Sequence, residues 1–134
     1  MNNNSNLIIF FLFLYFSNYI SSGEVNSWDC YKFEKSKIHG ENGDYLGSIG
    51  PSWLPDSIFN NSSQYSSTWS QDSIFNNNSK YGDSFSSESA FNKDASSPPK
   101  IHKDGELIGF LSVGPSWAED RFHPYDIKFT CDWD

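Results

Sequence analysis

Apolar and polar positions change their pattern several times along this chain. Leu7 to Phe16 is an unbroken apolar run, followed by Ser17-Asn18-Tyr19-Ile20 and the small residues Ser21-Ser22-Gly23. This is the form of the apolar core and cleavage region of a secretory signal. The run is shorter than the ~20 apolar residues that a membrane-crossing helix needs. It departs from the usual form in one respect, since Met1 to Asn6 holds no Lys or Arg. Residues 1–23 are expected to be a secretory signal peptide and 24–134 a single β-rich, repeat-containing domain.

Beyond the apolar run the pattern predicts strands. Ser27 to Glu34 alternates moderately and is rich in Trp, Tyr and Phe, a strand composition. Asp126 to Trp133 alternates more cleanly, with Ile127, Phe129, Cys131 and Trp133 on one face and Asp126, Lys128, Thr130 and Asp132 on the other. The two are expected to pair as terminal strands. Ser36 to His39 and Tyr45 to Ile49 flank Gly40-Glu41-Asn42-Gly43, and a second copy beginning Ile101-His102 flanks Lys103-Asp104-Gly105-Glu106. Asn-Gly and Asp-Gly supply the positive φ angles of tight turns, so both copies read as β-hairpins. Gly47 and Gly109 sit at the same place in the second strands and mark a bulge or a close approach of backbone. Both copies then run into Gly-Pro-Ser-Trp, Gly50 to Trp53 and Gly114 to Trp117. Glu119 to Tyr125, polar and containing Pro124, reads as a loop.

Between the hairpins lies a repeat of sixteen residues. Asp56-Ser57-Ile58-Phe59-Asn60-Asn61 returns as Asp72-Ser73-Ile74-Phe75-Asn76-Asn77, and in weaker form as Glu88-Ser89-Ala90-Phe91-Asn92-Lys93. Tyr65 matches Tyr81, and Trp53, Trp69 and Phe85 share a phase. No 3.6-residue period is sustained. Asp56-Ser57 and Asp72-Ser73 are suited to capping single helical turns, and Asn60 and Asn76 to ending them in a left-handed conformation. The expectation is a succession of single turns with one aromatic cluster per unit pointing the same way. One unit cannot bury its own apolar face, so the copies either stack with the hairpins as caps or, the period being shorter than the usual solenoid unit, lie as loops across a sheet. The fold class is therefore mainly β: a small antiparallel sheet from two hairpins plus a terminal strand pair, enclosing a three-unit turn/loop repeat.

Charge narrows the partners. Seventeen acidic residues against nine basic ones give a formal net charge of −8. No basic cluster is present to neutralise phosphates, which excludes nucleic acid and anionic membrane surfaces. Cys30 and Cys131 lie in mirrored surroundings, Trp28-Asp29-Cys30-Tyr31-Lys32-Phe33 against Lys128-Phe129-Thr130-Cys131-Asp132-Trp133. In an exported chain they read as a disulfide.

The chain holds no motif that names a reaction. His39 and His102 occupy equivalent hairpin positions, which suits packing beside the turn; the alternative is a shared metal site with Asp or Glu neighbours. There is no H-E-x-x-H, no C-x-x-C and no third clustered His, and no metal or cofactor is expected. His123 lies between Asp120 and Asp126, but no serine sits in a G-x-S-x-G to serve it. Asp56, Asp72 and Glu88 recur as a ladder that suits Ca²⁺ or, more simply, turn capping. The aromatics Trp53, Tyr65, Trp69, Tyr81, Phe85 and Trp117 are the candidate binding residues. Exposed, they suit stacking on sugar rings or capture of a partner; buried, they are the core of a domain poor in aliphatics. Asn60-Asn61-Ser62, Asn61-Ser62-Ser63 and Asn77-Asn78-Ser79 are glycosylation sequons, relevant only in a eukaryotic secretory route.

Tyr81-Gly82, Phe85-Ser86, Ser89, Asn92, Pro98-Pro99, Asp104-Gly105 and Ile108-Gly109-Phe110-Leu111 follow a recurring pattern. It runs Tyr-Gly-x-x-Tyr-Ser-x-x-Ser-x-x-Asn, then Pro-Pro, then a strand pair around Asp-Gly ending in Leu-Gly-x-Leu. In this the chain resembles a family of small exported bacterial proteins with tandem repeats and no assigned activity. The likeness covers roughly Tyr45 to Leu111; Ser66 and Trp69 depart from it where Gly and Tyr are usual. It implies export and an ordered repeat, and no site. The expected protein is an exported, non-enzymatic binding or structural protein of the periplasm or extracellular space, its partner a cell-wall polysaccharide or another envelope protein. The alternative is a small secreted enzyme or enzyme inhibitor using His123 and nearby carboxylates.

Overall fold

The sheet grows from its two glycine turns. In the computed structural model, which describes residues 24–115, 118 and 120–134, strands β1 (Ser36–His39) and β2 (Tyr45–Ile49) flank the first turn. Strands β3 (Lys100–Lys103) and β4 (Glu106–Leu111) flank the second. The expected signal segment and Trp117 lie outside the described residues. Asp104 and Gly105 both have positive φ, 51° and 82°, the two-residue turn whose twist matches that of its strands. The first turn is longer and adopts positive φ only at Gly43, at 89°.

The hairpins join through β1 and β3, antiparallel, with Ile38 opposite Ile101. A fifth strand, β5 (Arg121–Phe122), completes the order β2-β1-β3-β4-β5 and runs parallel to β4. The sheet is thus mixed, not purely antiparallel, and the segment expected to be a loop supplies a strand. Two hydrogen bonds draw it in, Phe110 N to Asp120 O at 2.7 Å and Ser112 N to Phe122 O at 2.9 Å. The buried Phe122 ring meets Phe33 edge-on at 5.0 Å.

The expected terminal strand pair is replaced by short helices. Ser27–Asp29 forms a 3-10 turn that leads into α1 (Cys30–Phe33), and α2 spans Pro124–Thr130. Local polar groups decide both. Asn26 and Asp29 form a reciprocal capping box, which satisfies backbone donors that a strand would leave free. In α2, the His123 ring caps the first turn and Pro124 occupies the first position, where its missing N–H costs nothing. The clean alternation after Asp126 is coincidental. Ile127 is buried and Phe129 exposed, because the face that packs inward follows Pro124, Ile127 and then Cys131, a helical spacing. The disulfide is present as expected. Cys30 and Cys131, Cα atoms 5.5 Å apart and 101 residues apart in sequence, tie α1 to the end of α2. A loop of that length restrains the unfolded chain by about 4–5 kcal/mol in the chain-entropy model.

The array from Pro51 to Ala95 is a chain of three-residue turns. Backbone N–H groups of Ser57, Asn60 and Ser63 bond to the carbonyl three residues earlier, and so do those of Ser73, Asn76, Ser79, Ser86, Ser89 and Ala95. Five such steps plus one extra residue make the sixteen-residue unit. At each corner the side-chain oxygen accepts from the N–H two residues on: Ser57 from Phe59, Asn60 from Ser62, Ser73 from Phe75, Asn76 from Asn78, Asn92 from Asp94. These are the local side-chain turns that compete with helix formation. Asn60 and Asn76 are not left-handed, contrary to expectation, since among the described residues only Lys35, Asp104, Asp120 and Asp132 combine a side chain with positive φ. Their amides reach back instead. Asn60 Nδ2 donates to Leu54 O, Asn76 Nδ2 to Ser70 O and Asn92 Nδ2 to Ser86 O, at 2.9, 2.9 and 2.8 Å. The corners point inward, so they must be small: Ser57, Ser63, Ser73, Ser79, Ser89 and Ala95 are all buried.

Array and sheet share one core. Ile38, Leu46, Ile49, Ile101 and Leu111 of the sheet, Ile58, Ile74 and Ala90 of the array, and Phe33, Ile127 and Trp133 of the ends belong to a single buried cluster. The first coil also extends the sheet, because Ser57 bridges in parallel to Ser48 on the β2 edge. Gly47 permits this. A Cβ there would lie 2.8 Å from Asp56 O, inside van der Waals contact.

Candidate functional site

The aromatics of the array divide into two sets rather than pointing the same way. Trp53, Trp69 and Phe85 fall on the third residue of equivalent turns and face solvent, 68 %, 84 % and 91 % exposed. In two of these turns a corner side chain fixes the ring-bearing backbone, Ser67 Oγ accepting from Trp69 N at 3.1 Å and Asp83 Oδ1 from Phe85 N at 2.9 Å. The rigid turns therefore present one large ring per coil. Tyr81 goes the other way. It is 1 % exposed, and its hydroxyl donates to Asp44 at 2.6 Å, so it joins array to hairpin. Tyr65 is half-buried and packs edge-on against Tyr45 at 5.2 Å. Of the six candidate binding residues, three are exposed at equivalent turn positions, two serve the interior, and Trp117 is outside the described residues.

A second aromatic group was not foreseen. Phe75 and Phe91, sixteen residues apart, lie 5.9 Å apart, and Tyr125 of α2 covers both at 5.9 Å. Phe129 stacks on Tyr125 at 6.1 Å and is exposed. The signal for it in the sequence was the sixteen-residue return of Phe; the covering helix was hidden by its strand-like alternation.

The carboxylates do not form a ladder. Asp56 accepts from Tyr45 Oη and, at 2.7 Å, from Ser48 Oγ, with Lys37 Nζ at 3.4 Å. Burial raises its pKa, but the Tyr45 and Ser48 hydrogen bonds and the Lys37 charge outweigh it, and Asp56 titrates below the ordinary range. Asp72 is exposed and Glu88 pairs with Lys80 at 3.4 Å. The turn caps are the serines beside them. Among the described residues no group of three or more His, Cys, Asp or Glu is arranged to hold a metal.

The three histidines have different surroundings. His39 and His102 meet, Nδ1 to Nδ1, at 3.2 Å. They share a shallow groove of about 490 Å³ with Lys37, Glu41, Lys100 and Asp104. Burial, His102 and Lys37 together lower the His39 pKa. His123 Nδ1 accepts from Tyr125 N at 3.1 Å as the cap of α2, beside a hollow that also holds Ser112, Arg121 and Asp126.

Comparison with known proteins finds no match to a family model, to a curated protein or to a solved structure. Fold and surface define a disulfide-clamped, mainly β protein that displays one aromatic ring per coil of a polar turn array. Among its described residues no helix is long and apolar enough to cross a membrane.

Proposed function

We propose that the protein is an exported, non-enzymatic binding protein whose contact surface is the row Trp53, Trp69 and Phe85. The carrying observation is their exposure at equivalent positions of successive coils, in an array whose Ile and Tyr residues are drawn inward. Single exposed apolar side chains are ordinary; a regular series on equivalent turns, two of them held by side-chain caps, is a built surface. Trp and Phe offer large, rigid contact at low entropic cost, and a series of equivalent rings suits a ligand that itself repeats. The net charge of −8 disfavours polyanions. The ligand class is a neutral cell-wall polysaccharide, with another envelope protein as the alternative partner. The disulfide and the apolar N-terminal run support a periplasmic or extracellular site. Catalysis at His123 would need a ring that already caps α2.

Acrylamide quenching of tryptophan fluorescence, with and without cell-wall polysaccharide, tests the reading. Trp28, also exposed, is first replaced by Phe to remove its background. Strong quenching that polysaccharide suppresses, and that Trp69→Ala makes insensitive to polysaccharide, is the expected result. Quenching unchanged by polysaccharide, with envelope proteins retained equally by wild type and Trp69→Ala, overturns the binding row.

A further inference from the structure

The two hairpins meet about a local twofold axis. Lys37-Ile38-His39 and Lys100-Ile101-His102 are equivalent triplets of the duplication. In the β1–β3 ladder Ile38 faces Ile101, Lys37 faces His102 and His39 faces Lys100. The exchange of partners makes the two histidines diagonal neighbours across the axis. Diagonal partners stand ~7–8 Å apart in a regular sheet, a distance that ring side chains can span. Here the ladders slip between Lys37 and His39 in β1–β2 and between Ile101 and His102 in β3–β4. Such bulges re-aim side chains. The same nitrogen of each ring thereby comes to face its equivalent, Nδ1 to Nδ1, at 3.2 Å.

We propose that His39 and His102 are a two-imidazole chelate for a divalent transition-metal ion, Cu²⁺ foremost. Two nitrogens each about 2.0–2.1 Å from one ion are about 2.9 Å apart at a right angle and about 3.4 Å apart at the tetrahedral angle. The observed separation lies between these limits. Imidazole nitrogen with open positions for water suits Cu²⁺, which also heads the affinity order. The flanking cations are matched: Lys37 stands 3.4 Å from Asp56 and Lys100 3.0 Å from Glu41. Asp104 is the other charged group in the groove. With no third protein ligand among the described residues, water fills the remaining positions. When the ion bridges the two Nδ1 atoms, the proton that otherwise joins them moves to the Nε2 of its own ring, so both rings bind as neutral imidazole and only protonated imidazole competes with the ion. This site is independent of the aromatic row.

The test is titration of the untagged, oxidised protein with CuCl₂ at about pH 7.5, where free imidazole is neutral, followed by electron paramagnetic resonance and thermal melting. One Cu²⁺ per chain, a spectrum with two equatorial imidazole nitrogens and a raised melting temperature are expected. His39→Asn and His102→Asn should each weaken binding at least about tenfold and leave one nitrogen, while His123→Asn changes neither. Should a variant fail to fold by circular dichroism, the nitrogen count of the wild type still decides. A spectrum lacking the nitrogen pair, or a His39→Asn/His102→Asn protein that binds Cu²⁺ as tightly as wild type, shows an ordinary hydrogen-bonded pair and overturns the site.

Discussion

Asn76 illustrates how a polar side chain becomes a core residue. It is 2 % exposed, yet its amide donates to Ser70 O and its carbonyl accepts from Asn78 N, both at 2.9 Å. Removing it leaves a backbone acceptor and a backbone donor without partners. An unpaired buried group costs about 1–3 kcal/mol; Asn78 N lies on an exposed residue and can turn to water, so Asn76→Ala should lower stability by about 1–3 kcal/mol in urea denaturation. Asn78→Ala, on the exposed side of the same turn, should change it by less than about 0.5 kcal/mol. Trp69 is the opposite case. Its ring touches solvent, so Trp69→Ala should leave the urea midpoint nearly unchanged while abolishing retention on polysaccharide. That separation of folding from binding is what distinguishes a surface residue from a packed one.

The turn array owes its shape to a three-residue rhythm within the sixteen-residue one. The corner residues Ser57, Asn60, Ser63, then Ser73, Asn76, Ser79, stand at every third position in plain view; a search for periods of two and 3.6 passes over them. Gly82 belongs to the same series and shows how tightly the coil is wound. A Cβ there would sit 2.2 Å from Asn76 O and 2.6 Å from Ile74 O, both backbone atoms that cannot swing aside. Gly82→Ala should therefore destabilise by about 3 kcal/mol, at the upper end of overpacking effects. Gly43→Ala, where nothing approaches the new methyl, should pay only the smaller cost of its positive φ, and comparative urea melts of the two would show the difference. The hairpins were legible because Asn42-Gly43 and Asp104-Gly105 act locally. The ends were not, because the alternation after Asp126 fits a strand while Pro124 and the His123 cap select a helix. The contact of His39 with His102 was half legible: the duplication shows equivalent positions, but only the β1–β3 pairing brings them together. That Tyr81 turns inward and reaches Asp44 follows from the hairpin lying against the array, which is a tertiary fact.

Two tyrosine–carboxylate pairs bind the first hairpin to the array, and through them pH acts on the whole molecule. Tyr45 donates to Asp56, and Tyr81 to Asp44. The Tyr81 hydrogen bond holds Asp44 below the ordinary carboxylate range, as Asp56 is held by its own partners. A depressed carboxylate contributes its stability above the unfolded pKa of about 4 and loses it as pH falls through the lower folded value. Burial first, and then the carboxylate, push both tyrosines above their ordinary value. A raised phenol contributes fully below the unfolded pKa of about 10 and loses that contribution as pH climbs toward the folded one. His39 adds a third limb. Its folded pKa is lowered, so the unfolded chain takes up the proton first and stability begins to decline as pH falls below about 6.5. The melting temperature should therefore hold a plateau between about pH 7 and 9.5, with a shallow acid step near 6, a steeper one below 4 and an alkaline fall above 10. The outer limbs arise from the same two contacts, so Tyr45→Phe/Tyr81→Phe should flatten both the steep acid limb and the alkaline limb while leaving the step near pH 6, which His39→Asn alone removes. Independent persistence of either outer limb in the double phenylalanine variant would place its origin outside the joint between hairpin and array.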